Sequence, residues 1–448
     1  MPTATAYPDT FFAATHNSYS GGNRGTYTQQ LDGGVRFLEL DINVSKFSQV
    51  HDYLVGHGSP GRQVDHDPGN PSTNDMTAWL QLVANWSRSN PGHAPITMGI
   101  DVKNNLASID SAADGNIGAL NTLVAQSFGD LLYTSEELTR DGNSWPTWQD
   151  LSGRVLMVLS GNETTRKAYL SDQGETPAVA LSGTGWVVEV HKSQSNSNLW
   201  YWAGFLQDDG SVDWTRHGKY DKGNEPAVAV NTAGVVVEVH KSQSHDKLYY
   251  HVGQVTTDGD ITWGPSHEFA SGESPSVRFD DATELLVTEI HRDGNSTKRM
   301  TGTVDPSTQT IAWGPAESTS EAPFPTAVAT AGGQTITVAT GSDPVDDTLI
   351  YSTNQFSGAR IRYHQTFFVE YQKGNGSQLA DAGLWFYAAS AGGNVDWGEE
   401  QRQAGKVVRL WGFDNGDAAG NPRINFAATD TPNESWYRNY EATIGAVD

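Results

Sequence analysis

A unit of about 49 residues recurs between positions 172 and 350, and this repeat limits the fold more than any other feature of the chain. Its three clear copies begin at Pro177, Pro226 and Pro275, and a fourth begins near Pro325. Each copy contains short β-branched and aromatic runs separated by Gly, Asn, Asp and Ser, which are strand and turn signals. Four strands per repeat is the content of one propeller blade. We therefore predict an all-β, propeller-like insert of about four repeats.

The fourth copy lacks the Trp-containing strand that ends the other copies, so closing a ring requires a strand from elsewhere. We expect the segment KAYLSD (167–172), just before the first copy, to supply it. A solenoid-like arrangement or a sandwich of the same strands stays open as an alternative. The repeated EVHKS motif places His191 and His240 at equivalent positions. Packing or hydrogen bonding between blades is favoured over metal binding for both histidines.

Outside the repeat, the chain contains eight short apolar runs, most of them nearly continuous. Such runs are typical of parallel strands that are covered on both faces, and helix-like segments lie between several of them. Eight strands that alternate with helices predict an α/β fold, a (β/α)8 TIM barrel, interrupted by the repeats after its fourth strand. The runs are TFFAAT (10–15), RFLELDI (36–42), ITMGIDV (96–102), RVLMVLS (154–160), TFFVEYQ (366–372), LWFYAAS (384–390), VVRLWGF (407–413) and INFAATD (424–430). The predicted domains are residues 1–165 for the first barrel half, 172–350 for the insert and 360–448 for the second half.

The composition disfavours several classes of function. The chain has 448 residues, with 53 Asp and Glu against 28 Lys and Arg and a net charge of −25, so it is a poor non-specific binder of nucleic acid. It has no apolar run of the roughly 18 residues that a membrane span needs. The absence of Cys excludes disulfides and thiolate metal sites. The N-terminus lacks the profile of a signal peptide, so we expect either a cytoplasmic protein or a sequence that starts at the mature end.

Acidic residues gather where the predicted barrel strands end. Glu39 and Asp41 lie two residues apart on strand two, so both side chains face the same way. Strand three adds Asp101, and strand one ends just before Asn17. Because functional side chains collect at the carboxyl ends of barrel strands, we expect these four to lie close together. Three carboxylates and an amide oxygen suit a hard cation such as Ca²⁺ or Mg²⁺.

Two histidines and a lysine lie beside that predicted cation site. His16 precedes Asn17, His57 lies between two glycines in VGHGSPG, and Lys103 follows two residues after Asp101. Imidazoles suit proton transfer near neutral pH. A cation, two imidazoles and an ammonium group together suit a phosphodiester, whose cleavage develops negative charge.

These motifs resemble the phosphatidylinositol-specific phospholipase C superfamily, and most closely its microbial phospholipase C-like phosphodiesterases. The resemblance rests on THNSYS, RFLELDI, GHGSPG and GIDVK; it covers residues 10–160 well and the second barrel half weakly. Eukaryotic signalling relatives also carry a long insertion between their barrel halves. One departure is Asp101, which is shorter than the Glu of the eukaryotic enzymes. The resemblance implies that His16 and His57 are the catalytic pair and that Ca²⁺ (or Mg²⁺) is bound by Asn17, Glu39, Asp41 and Asp101.

The implied function is a phosphoric diester hydrolase that cleaves a phosphoinositide or a related lipid head group, and the family implies a secreted enzyme. Lys103, Tyr371 and Trp385 are candidate substrate contacts. A lysine or arginine side chain between the carboxylates would count against the ion. One alternative is a glycerophosphodiester or sphingomyelin-type phosphodiesterase, in which His51 would replace His57. Another alternative, from a different class, is a carbohydrate-binding propeller whose partner is a glycan and whose barrel is secondary.

Overall fold

The computed structural model describes residues 5–106, 115–140, 142–257, 259–280, 284–342, 346–362, 366–374, 379 and 384–447. The chain divides into two compact units. The first unit contains Met1–Leu170 and Gln365–Asp448, and the second contains Ser171–His364. The second unit therefore ends at His364 rather than at 350, because its last short strand still pairs with the strand before it.

Eight parallel strands form a closed sheet in the first unit, since its first strand pairs with both the second strand and the last. With strands numbered along the whole chain, they are β1 (Phe12–Thr15), β2 (Val35–Asn43), β4 (Ile96–Val102), β5 (Val155–Gly161), β24 (Phe367–Gln372), β25 (Phe386–Ser390), β26 (Val407–Trp411) and β27 (Phe426–Thr429). A short antiparallel strand, β3 (Leu54–Val55), is added to β2. Each strand lies within or over one predicted apolar run, so the predicted (β/α)8 barrel is confirmed.

Aromatic side chains fill the barrel interior. The ring centre of Phe426 lies 5.7 Å from that of Phe12 and 4.9 Å from that of Phe37. Gly99 makes room for Phe37, because a Cβ at that position would lie 2.8 Å from the ring. Packed interiors tolerate no such overlap, so the strand positions around this layer are closely constrained.

The helices of the first unit connect and cover these strands. They are α1 (Tyr27–Asp32), α2 (Phe47–Val50), α3 (Met76–Ser89), α4 (Ile117–Phe128), α5 (Ser135–Arg140), α6 (Glu163–Leu170), α7 (Val395–Gln403) and α8 (Ser435–Ile444). The buried residues of α3 recur every three or four positions, which is the spacing of one face of a helix. Among the described helices, none is both long enough and apolar enough to cross a bilayer.

Four antiparallel sheets form the second unit, one for each predicted copy of the repeat. The first contains β6 (Glu175–Leu181), β7 (Trp186–Lys192), β8 (Asn198–Leu206) and β9 (Val212–Lys222). The second contains β10 (Asn224–Val230), β11 (Val235–Lys241), β12 (Leu248–Val255), β13 (Ile261–Trp263) and β14 (His267–Ala270). The third contains β15 (Glu273–Phe279), β16 (Leu286–Asp293), β17 (Ser296–Asp305), β18 (Thr310–Trp313) and β19 (Glu317–Thr319). The fourth contains β20 (Val328–Ala331), β21 (Gln334–Gly341), β22 (Thr348–Thr353) and β23 (Ala359–Arg360).

The first strands of the four sheets face one another. β10 packs against both β6 and β15, and β6 packs against β20. Residues of all four strands line one cavity of about 440 Å³. The inserted all-β unit is thus observed, and its description as a propeller stays a prediction.

The segment KAYLSD (167–172), which was predicted to complete the fourth sheet as a strand, is mostly helical. Its first four residues, KAYL, end helix α6, because Tyr169 and Leu170 bury the same helix face as Thr165 and Arg166. Only the residues that follow pair with β22: the Leu349 N–H donates to the carbonyl of Asp172 at 2.9 Å, and Gln173 bridges to Thr348.

Candidate active site

Three acidic side chains meet inside the barrel, near the carboxyl ends of β2 and β4. Glu39 and Asp41 are two residues apart on β2 and therefore share a face. Asp41 lies opposite Asp101 in the parallel pairing of β2 with β4. Each residue offers one carboxylate oxygen, and the three oxygens lie within 4.8 Å of one another. The structure thus brings together the three carboxylates that were predicted to bind a cation.

A buried arginine that the sequence analysis did not include lies beside these acids. Arg409, on β26, donates from Nη1 to Glu39 Oε1 at 2.8 Å and from Nε and Nη2 to the two oxygens of Glu370 at 3.0 Å each. Its side chain is 2% exposed. Burial favours a higher pKa for Glu39, but Arg409 and His16 hold that pKa at about 2. The sequence does carry a signal for this pair: Arg409 lies inside the apolar run VVRLWGF and Glu370 inside TFFVEYQ. A charge buried in a strand requires a partner of opposite charge.

Lys103 occupies the space between two of the predicted ligands. Its Nζ lies 2.9 Å from Asp41 Oδ2 and 3.0 Å from Asp101 Oδ2. A basic side chain in this position is the arrangement that we expected to count against a bound ion. The predicted fourth ligand is also engaged, since the Tyr19 hydroxyl donates to Asn17 Oδ1 at 3.1 Å. Four free oxygen donors therefore do not converge here.

The two cations nevertheless leave this interior negatively charged. Four carboxylates face them, so two negative charges remain in excess. The carboxylates are those of Glu39, Asp41, Asp101 and Glu370. Among the described residues, none donates a hydrogen bond to the buried Oδ1 of Asp41. Burial raises the pKa of Asp101 to about 6, and the nearby carboxylates oppose the lowering effect of Lys103. The excess negative charge and the three carboxylates of β2 and β4 suit a divalent cation, which would have to displace Lys103 Nζ from Asp41 and Asp101.

His16 lies just after β1 and is oriented by an acid that the sequence analysis missed. Its Nδ1 lies 3.1 Å from Asp430 Oδ1, and Arg24 holds the same oxygen at 2.5 Å. Its Nε2 lies 3.2 Å from Asn17 Nδ2 and 3.9 Å from Glu39 Oε2. Burial favours a lower pKa for His16, but Asp430 and Glu39 together raise the pKa above its usual value. Asp430 ends the last predicted apolar run, and its position at a strand end was the only signal for it.

His57 lies in the Gly-flanked loop, and its Nδ1 is 3.0 Å from Asp41 Oδ2. Its side chain is 43% exposed, so the ring lies at the barrel mouth. Gly56 has a φ of 154°, and a Cβ there would lie 2.2 Å from the carbonyl oxygen of Ser59. This glycine therefore allows the tight loop that brings His57 to Asp41. His51 lies outside the site. It is an exposed residue that caps the carboxyl end of α2, where its backbone N–H donates to the carbonyl oxygen of Phe47.

The two predicted substrate contacts in the second barrel half, Tyr371 and Trp385, lie away from the acids and histidines. Tyr371 neighbours the inward-facing Glu370 on β24 and so points to the outer face, where its ring lies 5.0 Å from Tyr387. Trp385 precedes β25 at its amino end and packs edge-on against Trp145 at 5.8 Å. The mouth lies at the carboxyl ends, so Trp385 lies at the opposite end of the barrel, and Tyr371 faces away from the interior acids. Among the three candidates, only Lys103 lies with the acids and histidines.

No family model and no curated protein matches the chain. Among solved structures, a calcium-dependent phosphoinositol-specific phospholipase C from a Gram-negative Pseudomonas is 31% identical, with a TM-score of 0.32, over 37% of this chain and 61% of that protein. A Ca²⁺-dependent phosphatidylinositol-specific phospholipase C from Streptomyces antibioticus is 25% identical, with a TM-score of 0.31, over 37% of this chain and 56% of that protein. The chain thus spans less than two thirds of either protein. Both belong to the superfamily that the motifs of residues 10–160 resemble.

Proposed function

We propose that the barrel cleaves a phosphodiester in the manner of a phosphatidylinositol-specific phospholipase C, with a phospholipid head group as substrate. The observation that carries this proposal is a pair of histidines that contact two neighbouring acids on one strand. His16 contacts Glu39, His57 contacts Asp41, and the two acids are neighbours on the inner face of β2. Two imidazoles at one barrel mouth, next to two fixed cations, suit a reaction that moves protons around a charged phosphate.

Each imidazole is held through Nδ1, by Asp430 for His16 and by Asp41 for His57. An Nδ1–H that donates to a carboxylate leaves Nε2 as the atom that exchanges protons, and the carboxylate stabilises the imidazolium that forms. We infer that one histidine removes the proton of the attacking hydroxyl and the other protonates the leaving oxygen. In phosphatidylinositol, the hydroxyl adjacent to the phosphate would bond to phosphorus while the bond to diacylglycerol oxygen breaks, which yields a cyclic phosphate.

Arg409 and Lys103 have different electrostatic roles in this proposal. Arg409 is buried and fully used by Glu39 and Glu370, so its role is to fix the acids in place. Lys103 is 23% exposed at the same mouth and is the basic side chain that we assign to the phosphate oxygens. When bound by Glu39, Asp41 and Asp101, Ca²⁺ would supply further positive charge beside the phosphate.

A substrate panel tests the proposal. Purified protein is incubated with phosphatidylinositol, glycerophosphoinositol, sphingomyelin and lysophosphatidylcholine, each with Ca²⁺ or with a chelator. We expect cleavage of phosphatidylinositol, loss of cleavage in His16→Ala and His57→Ala, and near-normal cleavage in the matched control His51→Ala. No cleavage of any substrate would refute the proposal. Loss of activity in His51→Ala but not in His57→Ala would favour the glycerophosphodiesterase alternative. Full activity on every substrate after chelation would rule out a role for the divalent cation and leave Lys103 to bind the phosphate oxygens.

We infer further that the four sheets of the second unit are propeller blades, because their first strands line one cavity and residues 172–173 pair with the last sheet. The expectation of a glycan partner finds no support in the described residues, and we do not propose one.

A further inference from the structure

The second unit contains two clusters of Asp, His and Glu that the proposed function does not use. Asp172 Oδ2 lies 3.0 Å from His217 Nε2 and 3.6 Å from His191 Nε2, and both histidines belong to the first sheet. His191 is 1% exposed, and its Nδ1 lies 3.0 Å from Glu189 Oε2. The Trp202 indole also donates to Asp172 Oδ2 at 2.7 Å. One carboxylate oxygen and two imidazole nitrogens thus face one another, with a second carboxylate behind one imidazole.

The next repeat builds the same chemistry. Asp221 Oδ2 lies 2.8 Å from His251 Nε2 and 3.5 Å from His240 Nε2, and His240 Nδ1 lies 3.0 Å from Glu238 Oε2. The second imidazole comes from a different strand in each cluster. It is on β9 in the first cluster and on β12 in the second. The two clusters therefore contain the same residue types, but the second histidine comes from non-equivalent positions of the repeat. Duplication of the repeat alone does not explain this likeness.

The outer contacts of the two imidazoles in the second cluster orient both rings inward. His251 Nδ1 lies 2.9 Å from the Gly264 carbonyl oxygen, and His240 Nδ1 lies 3.0 Å from Glu238 Oε2. Each Nδ1 is therefore held by an oxygen outside the cluster, and each Nε2 is directed toward Asp221 Oδ2. Imidazoles held in this way through the outer nitrogen present the inner nitrogen to a metal ion.

The distances agree with a small tetrahedral ion. Zinc bonds of about 2.0 Å in tetrahedral geometry separate ligand atoms by about 3.3 Å. The Asp-to-His distances of 3.0 and 3.6 Å in the first cluster, and of 2.8 and 3.5 Å in the second, lie on both sides of that value. A carboxylate hydrogen-bonded to the outer nitrogen of a ligating histidine is the usual support of a zinc ligand.

From this geometry we propose that the second unit binds two Zn²⁺ ions, one at Asp172, His191 and His217 and one at Asp221, His240 and His251. Glu189 and Glu238 orient the two EVHKS histidines and do not touch the metal. Water completes each site, because the side chains of Asp172 and Asp221 are 23% and 27% exposed. This inference departs from the sequence interpretation, which favoured packing or hydrogen bonding over metal binding for His191 and His240, and it does not depend on the proposed function of the barrel.

The third repeat supplies a control within the same chain. Its Glu289–His291 pair is intact, with 2.8 Å between Oε2 and Nδ1. Ala270, however, occupies the position of Asp221, and Met300 faces Glu289 where His251 faces Glu238. The third repeat therefore offers one imidazole and no aspartate, and we expect no zinc there.

Zinc stoichiometry tests the proposal. The full chain is stripped with a chelator, given excess Ca²⁺ to fill the barrel carboxylates, mixed with ZnCl₂, gel-filtered and analysed for metal by mass spectrometry. We expect about two Zn per chain, about one in His191→Ala and in His240→Ala, and two in the control His291→Ala. X-ray absorption at the zinc edge should show nitrogen and oxygen ligands at about 2.0 Å with imidazole scattering. Two zinc ions retained in both His191→Ala and His240→Ala, or none in the unaltered chain, would overturn the assignment.

Folding defects are separated from loss of ligands by a second set of variants. Asp172→Asn and Asp221→Asn change only partly exposed side chains and preserve their size. We expect ZnCl₂ to raise the melting temperature of the unaltered chain and of His291→Ala, but not that of the doubly substituted Asp172→Asn/Asp221→Asn chain. An equal zinc-induced rise in that double variant would contradict the proposal even if the histidine variants did not fold.

Discussion

The barrel mouth and the repeat clusters use the same three residue types with different neighbours. At the mouth, Lys103 and Arg409 pair with the acids, and His57 is 43% exposed. In the clusters, no lysine or arginine side chain of the described residues forms an ion pair with Asp172 or Asp221, and His191 and His240 are 1–2% exposed. Exposed imidazoles beside fixed cations can exchange protons with a substrate, whereas buried imidazoles around one carboxylate can only be held or bind an ion. Surroundings, more than residue types, thus separate the two roles.

The largest difference between the two regions should appear in catalysis. Replacing His16 or His57 with Ala removes one proton-transfer group, and we expect turnover to fall by about two to four powers of ten. Replacing His191 or His240, which lie in the other unit, should leave turnover unchanged. Steady-state rates on a soluble phosphoinositol substrate measure both effects, with circular dichroism as the check on folding. A loss of turnover in His191→Ala as large as in His57→Ala would show that catalysis depends on the repeat clusters as much as on the barrel mouth.

A large effect on stability should appear at the buried arginine. Arg409→Met leaves Glu39 and Glu370 without their counter-charge, and we expect the free energy of unfolding of the barrel to fall by about 3–5 kcal/mol. The control is Arg438→Met, which removes a 44% exposed arginine 3.8 Å from Glu441 and should cost less than about 1 kcal/mol. Denaturant unfolding followed by tryptophan fluorescence compares them. Equal losses in the two variants would show that the interior acids do not depend on Arg409.

A smaller effect should appear in the pH dependence of the barrel. Asp430 raises the pKa of His16, so Asp430→Asn should lower that pKa and move the corresponding limb of the pH–rate profile to lower pH. We also expect a loss of turnover of about tenfold, which is about 1.4 kcal/mol, because the ring loses its orienting acid. An Asp9→Asn variant, which changes an exposed acid elsewhere in the same unit, should keep the original profile. A limb that moves to higher pH in Asp430→Asn would contradict the assigned role.

The smallest change should be a gain of metal binding in the third repeat. Ala270→Asp combined with Met300→His supplies the two groups that this repeat lacks beside Glu289 and His291. We expect the zinc content to rise from about two to about three ions per chain, with weaker binding at the new site because its surroundings were not selected for it. The single substitution Ala270→Asp serves as the control. A third ion bound equally well by the single and double variants would show that two imidazoles are not required.

The sequence predicted the repeating and periodic features of this molecule well. The eight barrel strands were predicted from apolar runs, because burial imposes a local pattern on such elements. The all-β insert followed from the spacing of Pro177, Pro226 and Pro275 for the same reason. The prediction of a strand at KAYLSD was wrong for its first four residues, which continue the buried face of helix α6, whereas Asp172 at its end does pair with β22.

The site was predicted only where its residues are close in sequence. Glu39 and Asp41 share a face by spacing alone, and the flanking glycines marked the loop of His57. Arg409 is 370 residues from its partner Glu39 along the chain, and Asp430 is 414 residues from His16. No local sequence pattern indicates contacts between residues so far apart. The position of Lys103 between two acids likewise depends on the pairing of β2 with β4, which sequence spacing does not reveal.

A single assay compares catalysis at the barrel mouth with catalysis at the repeat clusters most directly. Phosphorus-31 NMR follows phosphatidylinositol in mixed micelles with the unaltered chain, with His16→Ala/His57→Ala and with His191→Ala/His240→Ala, all in the presence of Ca²⁺. We predict that a cyclic phosphate signal grows in the first and third samples at similar rates and is absent from the second. Cyclic phosphate formation in the His16→Ala/His57→Ala sample, at the rate of the unaltered chain, would contradict the assignment of catalysis to the barrel mouth.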